Sequence, residues 1–351
     1  MKFTTVAKMA TDGNLTLLVS LAAKFAKPLY RASFLVGAWR AGILQHLGDQ
    51  PRAVEACADL LGVAGDRHRL RAWLELGVRF GDLAVEDGHY RLRSRTAKAL
   101  ARPGSDAAAA ALAEVVLFHA PALLNAPDML RSGRRLTLTD QDGSIIARSS
   151  RVVQPFVEEA VERVLDRQAP LRLLDIGCGS GIYVRHAAML NPRLTAVAID
   201  FQAEVAAAAA ANVIAWGLAD RVEVRRADVR ELWLEPQFDV ITMHNNIYYF
   251  PVAERVALLE HARSLLAPGG RLVLTTSCRG GTLPMEVLNL WFEFADFGGP
   301  LPDVAELTGQ LQTAGFAEID MRRLIPGDQF FVFVGGNPLA AALPEPGRRT
   351  A

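Results

Sequence analysis

The stretch "LRLLDIGCGSGIYVRH" (Leu171–His186) decides how this chain is read. An apolar run reaches Asp175, then Gly177, Gly179 and Gly181 alternate with other residues, and a helical pattern follows. Glycines at a strand-to-helix turn let the backbone approach a ligand closely, and the helix N-terminus favours polar or anionic groups. Many nucleotides would fit such a turn, so the spacing has to discriminate. A dinucleotide fingerprint needs G-x-G-x-x-G, but counted from Gly177 its last position is Ile182. A pyrophosphate-binding nicotinamide enzyme is therefore disfavoured. The chain holds no G-x-x-x-x-G-K-[ST], which excludes a P-loop.

Downstream of the loop, strand and helix patterns alternate as a parallel α/β sheet requires. "LTAVAID" reads as a strand ending at Asp200, "AEVAAAAAANVIAWG" as a helix, and "RVEVRRAD" as a strand ending at Asp228. "FDVITMH" is a fourth strand, "VAERVALLEHARSLL" a helix closed by "APGG", and "RLVLTTS" a fifth strand. The segment "SCRGGTLPMEVLNLWFEFADFGGPLPD" carries Met285, Leu288, Trp291, Phe292 and Phe294 between two glycine pairs, and is placed to roof the carboxyl ends of the strands. Its aromatic residues suit a flat or apolar acceptor and suit dimer packing nearly as well.

Upstream, "RASFLVGAWRAGILQHL" (31–47) and "AVEACADLLG" (53–62) read as helices, the second closed by Gly62. "DRHRLRAWLELGVRF" (66–80) reads as a third, with Asp66 as N-cap and Leu70, Trp73, Leu74 and Leu76 as its buried face. In "LAVEDGHYRLR" the period drops to two: Leu83, Val85, Tyr90 and Leu92 alternate around Asp87-Gly88, a hairpin signal. Three helices and a hairpin make a winged-helix layout. DNA binding through Arg67, Arg69 and Arg71 is one reading of it and protein contact the other. Residues 31–102 carry twelve basic and eight acidic groups, net +4, and the hairpin tip bears Glu86 and Asp87. Phosphate neutralisation supplies most DNA affinity, so the protein-contact reading is preferred. An Ala-rich helical segment after Pro103 is expected to break at Pro121 and Pro127, and "SSRVVQPFVEEAVERVLDR" to form a helix leading into the glycine loop.

The whole chain of 351 residues balances 38 basic against 38 acidic residues, with 51% hydrophobic content. That balance argues against a nucleic-acid-coating or membrane-surface protein. Cys57, Cys178 and Cys278 are scattered without metal-ligand spacing and fit free thiols in a reducing cytoplasm. The apolar run "LTLLVSLAAKFAKPLY" is interrupted by Lys24 and Lys27 and is too short and too charged to be read as a membrane span.

The motifs taken together resemble the class I S-adenosylmethionine-dependent methyltransferases: "LLDIGCGSG", the acids in "AID" and "AD" (227–228), then "FDVITMHN" and "LLAPGGRLVL". The likeness spans about residues 165–335. With the winged-helix layout ahead of it, the chain is similar to the small-molecule O-methyltransferase branch, in which that domain dimerises. The resemblance implies an α/β fold, a Rossmann-like seven-stranded sheet preceded by a mainly α-helical winged-helix domain, closed by "FAEIDMRRL" and an antiparallel "QFFVFVG". The implied divisions are a dimerisation domain over 1–105, a helical linker contributing to the substrate site over 106–168, a cofactor domain over 169–336 and a flexible tail over 337–351.

Carried over position by position, Gly177, Gly179 and Gly181 would line the methionine portion of S-adenosylmethionine, with Asp175 behind the loop near the ammonium. Asp200 would bind the ribose hydroxyls beside Phe201, Asp228 would accept from the adenine amino group, and Val229 would pack on the ring. His244 stands where the family often has Lys or Arg. Plant-like relatives use a His in an H-D-W motif as the base, and Tyr248 occupies that position here. A tyrosine with a pKa of about 10 is a poor base at neutral pH. Three readings stay open. His244 is the base; or an acidic acceptor (enol, thiol or phenol) needs only positioning by Asn245, Asn246, Tyr248 or Tyr249; or His244 binds a metal beside a 2-oxo acid whose enolate is methylated on carbon. No local spacing supplies further metal ligands, and a satisfied structural histidine is the plain alternative. Arg148 and Arg151 are candidate clamps for an acceptor carboxylate, His261 is expected at the surface, and Cys278 is expected to be an inert buried thiol. The expected function is methylation of a small molecule at oxygen by a cytoplasmic homodimer, with methylation of a 2-oxo acid or enol on carbon as the alternative. The rivals are a cofactor-sensing transcriptional regulator and an enzyme modifying protein or nucleic acid.

Overall fold

The computed structural model describes residues 14–63, 65, 67–233 and 237–339, so the expected N-cap Asp66 and the tail beyond residue 339 lie outside it. The chain divides into two compact units, Met1–Leu117 and Phe118–Ala351. In the first, helical backbone runs from Asn14 through a π-turn (Ala22–Ala26) to Arg40. Helices Ile43–Asp49, Val54–Leu60, Arg67–Phe80, Arg95–Leu100 and Asp106–Glu114 follow. Strands β1 (Arg52–Ala53), β2 (Leu83–Glu86) and β3 (His89–Leu92) form an antiparallel sheet in the order β1-β3-β2.

The single helix expected over 31–47 is two helices, because Gly42 turns the chain at φ +75° between Arg40 and Ile43. Asp87 (φ +47°) and Gly88 (φ +76°) close the β2–β3 hairpin, the paired left-handed conformation that suits the strand twist. Leu70, Leu74 and Gly77 form the buried stripe of helix Arg67–Phe80, at i, i+4 and i+7. Leu76 lies off that stripe and is exposed, contrary to expectation; Val85, near the hairpin tip of the sheet-edge strand β2, is exposed too. At Gly77 the helix packs so closely that a Cβ would collide with the Phe34 ring and sit 2.8 Å from Leu83. Buried Asp82 receives a forked pair of 2.8 Å hydrogen bonds from Arg31 and a 2.5 Å bond from the Ser94 hydroxyl. It thereby ties helix Lys27–Arg40 to the entry of β2 and to the Ser94 cap of helix Arg95–Leu100.

The helical run Pro103–Ser132 is the one stretch among the described residues that is long and apolar enough to cross a membrane by length and composition. The break expected at Pro127 does not occur; helix Ala120–Ser132 runs through it and stops at Gly133 (φ +71°). Helix Gly143–Ser149 is capped by Asp142, and the helix expected from residue 149 onward starts as a 3-10 turn (Ser150–Val153) before helix Gln154–Glu162.

Seven strands build the main sheet: β4 (Arg172–Ile176), β5 (Thr195–Asp200), β6 (Val222–Arg226), β7 (Phe238–His244), β8 (Leu266–Ser277), β9 (Ala317–Arg323) and β10 (Phe330–Gly336). Their order is β6-β5-β4-β7-β8-β10-β9, with β4 to β8 parallel and β10 antiparallel to both neighbours. Leu173, Leu174, Ile176, Ile241, Met243, Leu272, Val273 and Leu274 are all buried, the continuous apolar signature of strands covered on both faces. The chain steps from β4 outward to β5 and β6, then returns to β7 on the other side of β4. That switch point opens a crevice at the carboxyl ends of β4, β5 and β7. "APGG" does not cap the preceding helix, which ends at Ser264; it forms a kink within β8, where the β7–β8 register shifts between Phe238 and Val240. Gly270 has room for no side chain there, since a Cβ would lie 2.9 Å from two carbonyl oxygens.

Candidate functional site

The glycine loop is shaped by β5. The amides of Gly177 and Cys178 both donate to the Ile199 carbonyl (2.8 and 2.9 Å), and the Gly179 amide donates to the Asp200 carboxylate at 3.1 Å. Gly177, Gly179 and Gly181 all have positive φ (+69°, +55° and +77°), conformations that other residues rarely adopt. A Cβ on Gly177 would also lie 2.6 Å from the Asn246 amide nitrogen, so the strand ends of β4 and β7 meet over bare backbone. Helix Ile182–Leu190 starts at Gly181.

Four polar groups surround this cradle. Asp175 is buried; one carboxylate oxygen accepts from the Thr242 hydroxyl (2.7 Å) and the other has no partner. Burial pushes its carboxyl up to about 7, opposed by the Thr242 bond and helped by the nearby Asp200 charge. His244, at the end of β7, sets Nδ1 2.9 Å from the Thr275 hydroxyl, while its Nε2 is buried without a partner. Burial pulls this imidazole down to about 3, so it is neutral across the physiological range. The Tyr183 ring meets it edge-on at 4.8 Å, and the Tyr183 hydroxyl is likewise buried and unpaired. Asn246 donates to the Ile176 carbonyl (2.5 Å) and leaves its own side-chain oxygen unpaired. Between them Asn245 is held at φ +54°, a strained position for a residue with a side chain.

Asp200 spans the loop: one oxygen takes the Gly179 amide and the other the Gln202 amide at 3.0 Å. Burial raises its pKa, against those two backbone hydrogen bonds. Phe201 beside it is exposed. Asp228 lies two residues past the end of β6, caps a 3-10 turn, and forms an ion pair with Arg230 at 2.7 Å that lowers its pKa. Val229 is buried. Asp175, Gly177, Gly179, Gly181, Asp200, His244, Asn245 and Asn246 thus meet at the carboxyl ends of β4, β5 and β7.

Tyr248 is buried a turn further on, within an aromatic cluster: its ring is 4.7 Å from Phe292 and 5.5 Å from Tyr249, and Tyr249 stacks on Phe297 at 5.8 Å. Phe292 and Trp291 come from helix Leu283–Glu293, the segment expected to form the roof. Arg151 reaches Gln154 at 3.4 Å. His261 is partly buried against Trp233 and the Leu232 carbonyl, not at the open surface. Cys278 is fully buried, its thiol pushed up to about 12 by burial. The sequence reading missed Tyr183, Thr242 and Thr275, whose roles come from strand register and ring contact. No group of three metal-ligating side chains occurs among the described residues.

The cradle fits S-adenosylmethionine on two observations. Gly177, Gly179 and Gly181 present bare backbone at positive φ, and the unpaired Asp175 oxygen lies behind the loop as an acceptor for an ammonium group. A methyltransferase-domain family model matches residues 174–272, the span from the glycine loop to β8. The chain is 27% identical over 304 residues to the demethylspheroidene O-methyltransferase of Cereibacter sphaeroides, covering 81% of this chain and 77% of that one. It is 25% identical over 194 residues to the protein of the same name from Rhodobacter capsulatus, covering 54% of this chain and about half (48%) of the relative. In fold it is similar to the mitomycin 7-O-methyltransferase (TM-score 0.69, 18% identity, 95% of this chain and 99% of that one). Human N-acetylserotonin methyltransferase, solved in complex with S-adenosylmethionine, is similar too (TM-score 0.68, 16% identity, 93% of this chain and 98% of that one). Glycine cradle, sheet order and domain match agree: residues 174–272 carry a methyltransferase domain, and the chain has the fold of the O-methyltransferases to which it is similar.

Proposed function

We propose that this enzyme methylates a hydroxyl oxygen of a small secondary metabolite with an apolar or aromatic body. The observation that carries the reading is a buried His244 whose Nε2 is unpartnered, followed four residues on by Tyr248 and Tyr249, whose rings pack with Phe292 and Phe297 into one aromatic cluster. The curated relatives named for demethylspheroidene, and others named for ubiquinone biosynthesis, support an acceptor of that kind.

When bound, S-adenosylmethionine would supply a sulfonium-activated methyl group: the acceptor oxygen forms its bond to the methyl carbon in line as the carbon–sulfur bond breaks, S-adenosylhomocysteine leaves and the hydroxyl proton is released. The protein's part is alignment, exclusion of water and handling of the hydroxyl proton. Gly177, Gly179 and Gly181 would line the methionine portion, Asp175 would take the ammonium, Asp200 the ribose hydroxyls, and Asp228 with Val229 the adenine. Thr275 fixes the His244 ring through Nδ1; with the imidazole proton on Nδ1, the Nε2 lone pair accepts a hydrogen bond from the acceptor hydroxyl. Burial disfavours the imidazolium, so the site suits an acceptor hydroxyl that is already acidic, such as a phenol or enol. Asn245 and Tyr248 orient that acceptor.

The first unit serves as a winged-helix dimerisation domain in this reading. Leu17, Leu18, Val19, Phe25, Leu29 and Tyr30 are exposed along its first helical run, apolar surface of the kind that partners cover. The three cysteines are free and buried, which fits a reducing cytoplasm. The test is transfer of a labelled methyl group from S-adenosylmethionine to a panel of phenolic, enolic and polyprenyl-alcohol acceptors, read by mass spectrometry. Label in small molecules supports the reading; label confined to protein or nucleic acid overturns it.

A further inference from the structure

Arg255 is the largest side chain buried completely in the described chain, and it has no carboxylate against it. It opens helix Arg255–Ser264, immediately after the turn that follows β7. Its Nε donates to the Phe250 carbonyl (3.1 Å) and one terminal nitrogen to the Pro300 carbonyl (2.7 Å); the other terminal nitrogen is buried without a partner. Burial lowers its pKa to about 10, with Glu306 raising it and Arg279 lowering it. Glu306 is itself paired with Arg279 at 3.5 Å. A buried guanidinium is costly, and hydrophobic replacements of similar volume are often neutral for stability, so burial alone does not explain this residue.

The two carbonyls it joins belong to different walls of the aromatic cluster. Phe250 follows Tyr248 and Tyr249, whereas Pro300 follows Phe297 in the segment after helix Leu283–Glu293. That segment is laced down residue by residue. The Gly299 amide donates to the Tyr248 carbonyl (3.1 Å), the Leu301 amide to the Asn289 side chain (2.8 Å), and the Pro302 carbonyl accepts from the Arg279 amide (3.0 Å). Gly298 lies so close to the Tyr248 carbonyl that a Cβ there would collide with it. A segment sewn at this density is a fixed wall and not a lid.

We infer that Arg255 is a positioning residue that clamps the post-β7 turn to the 297–302 segment and so sets the shape of the acceptor wall. This rests on the proposed acceptor site. Arg255 touches neither acceptor nor cofactor, so its loss should be felt in acceptor use and selectivity while S-adenosylmethionine binding holds. The purified full-length enzyme and its Arg255→Met, Arg255→Lys and Gly298→Ala variants are compared by amide hydrogen exchange over 247–254 and 294–303. Calorimetric S-adenosylmethionine binding, melting temperature, and kcat/KM for a compact and a bulky acceptor are measured alongside. Arg255→Met should speed exchange in both segments and lower kcat/KM about tenfold or more, the scale of losing buried charge-assisted hydrogen bonds. It should also narrow the preference between acceptors, leave cofactor affinity within about twofold, and be partly rescued in Arg255→Lys, which retains a donor. Should Arg255→Met fail to fold, Gly298→Ala prises apart the same seam and must give the same pattern. Unchanged exchange, or cofactor affinity and melting temperature falling together with selectivity intact, overturns the inference. A wild-type enzyme that transfers no methyl group would sink the proposed function instead, and the exchange comparison would still decide the clamp.

Discussion

His244 and Thr275 are register partners across the parallel strands β7 and β8, and the His244 Nδ1 lies 2.9 Å from the Thr275 hydroxyl. One strand thus supplies the imidazole and the next fixes which way it faces. His244→Ala should lower kcat by about a hundredfold or more, the range for loss of a proton-handling group. Thr275→Val should lower it by less, because the ring keeps its place and loses its orientation. Calorimetry should find cofactor affinity little changed in Thr275→Val; a rate loss explained wholly by cofactor affinity would contradict the assignment.

Buried neutral histidines also fix a pH dependence. The imidazoles of His244 and His119 are pulled down to about 3 and about 4 by burial, below the ordinary value of 6.5. The unfolded chain therefore binds more protons than the folded one as pH falls below 6.5, and stability is lost from there down through the folded values. Denaturant titrations from pH 7 to pH 4 should show His119→Gln losing less stability on acidification than the wild type. Equal slopes would mean that this histidine is not buried neutral.

Asp175 works with the opposite sign. Its carboxyl is raised to about 7, so the folded state holds a proton that the unfolded chain releases above about 4. Stability from this group is present at low pH and is lost as pH rises through 7. An ammonium group against the unpaired Asp175 oxygen would favour the ionised form, so S-adenosylmethionine should bind more tightly at pH 8 than at pH 6 and release protons on binding. Asp175→Asn should bind the cofactor about tenfold or more weakly and lose most of that pH dependence. Calorimetry in buffers of different ionisation enthalpy measures both; a pH-independent affinity in the wild type would count against the role.

Two glycines test packing in the two units separately. Gly77→Ala should destabilise the first unit by ~1–3 kcal/mol, since the new methyl must displace the Phe34 ring and Leu83. Gly177→Ala combines a positive φ with a Cβ 2.6 Å from Asn246, and should abolish cofactor binding as well as lowering stability. Thermal melts with and without S-adenosylmethionine separate the two effects, and full cofactor protection of Gly177→Ala would contradict the cradle.

The parts legible in the sequence were those written locally. The glycine loop, the Asp87-Gly88 hairpin and the five parallel strands of the main sheet carry their own local pattern and turn residues, so their elements followed from spacing. The resemblance added the closing pair with its reversed last strand, and β9 and the antiparallel β10 stand there. Illegible were the features made by register between distant segments: Asp175 against Thr242, His244 against Thr275, and Arg255 reaching Pro300. Nothing near Arg255 in the sequence marks it off from the chain's many surface arginines. "APGG" misled because a helix stop and a strand kink use the same residues. Pro127 misled because a helix can tolerate an interior proline when its length continues on both sides.

The central claim is transfer of a methyl group from S-adenosylmethionine to oxygen on a small molecule. Its most direct test is incubation with carbon-13 methyl-labelled S-adenosylmethionine and an accepted hydroxylated substrate, with the product examined by carbon-13 NMR. A single labelled methyl attached to oxygen is expected, formed by the wild type and largely absent with His244→Ala. A labelled methyl on carbon, or equal yields from both proteins, would contradict it.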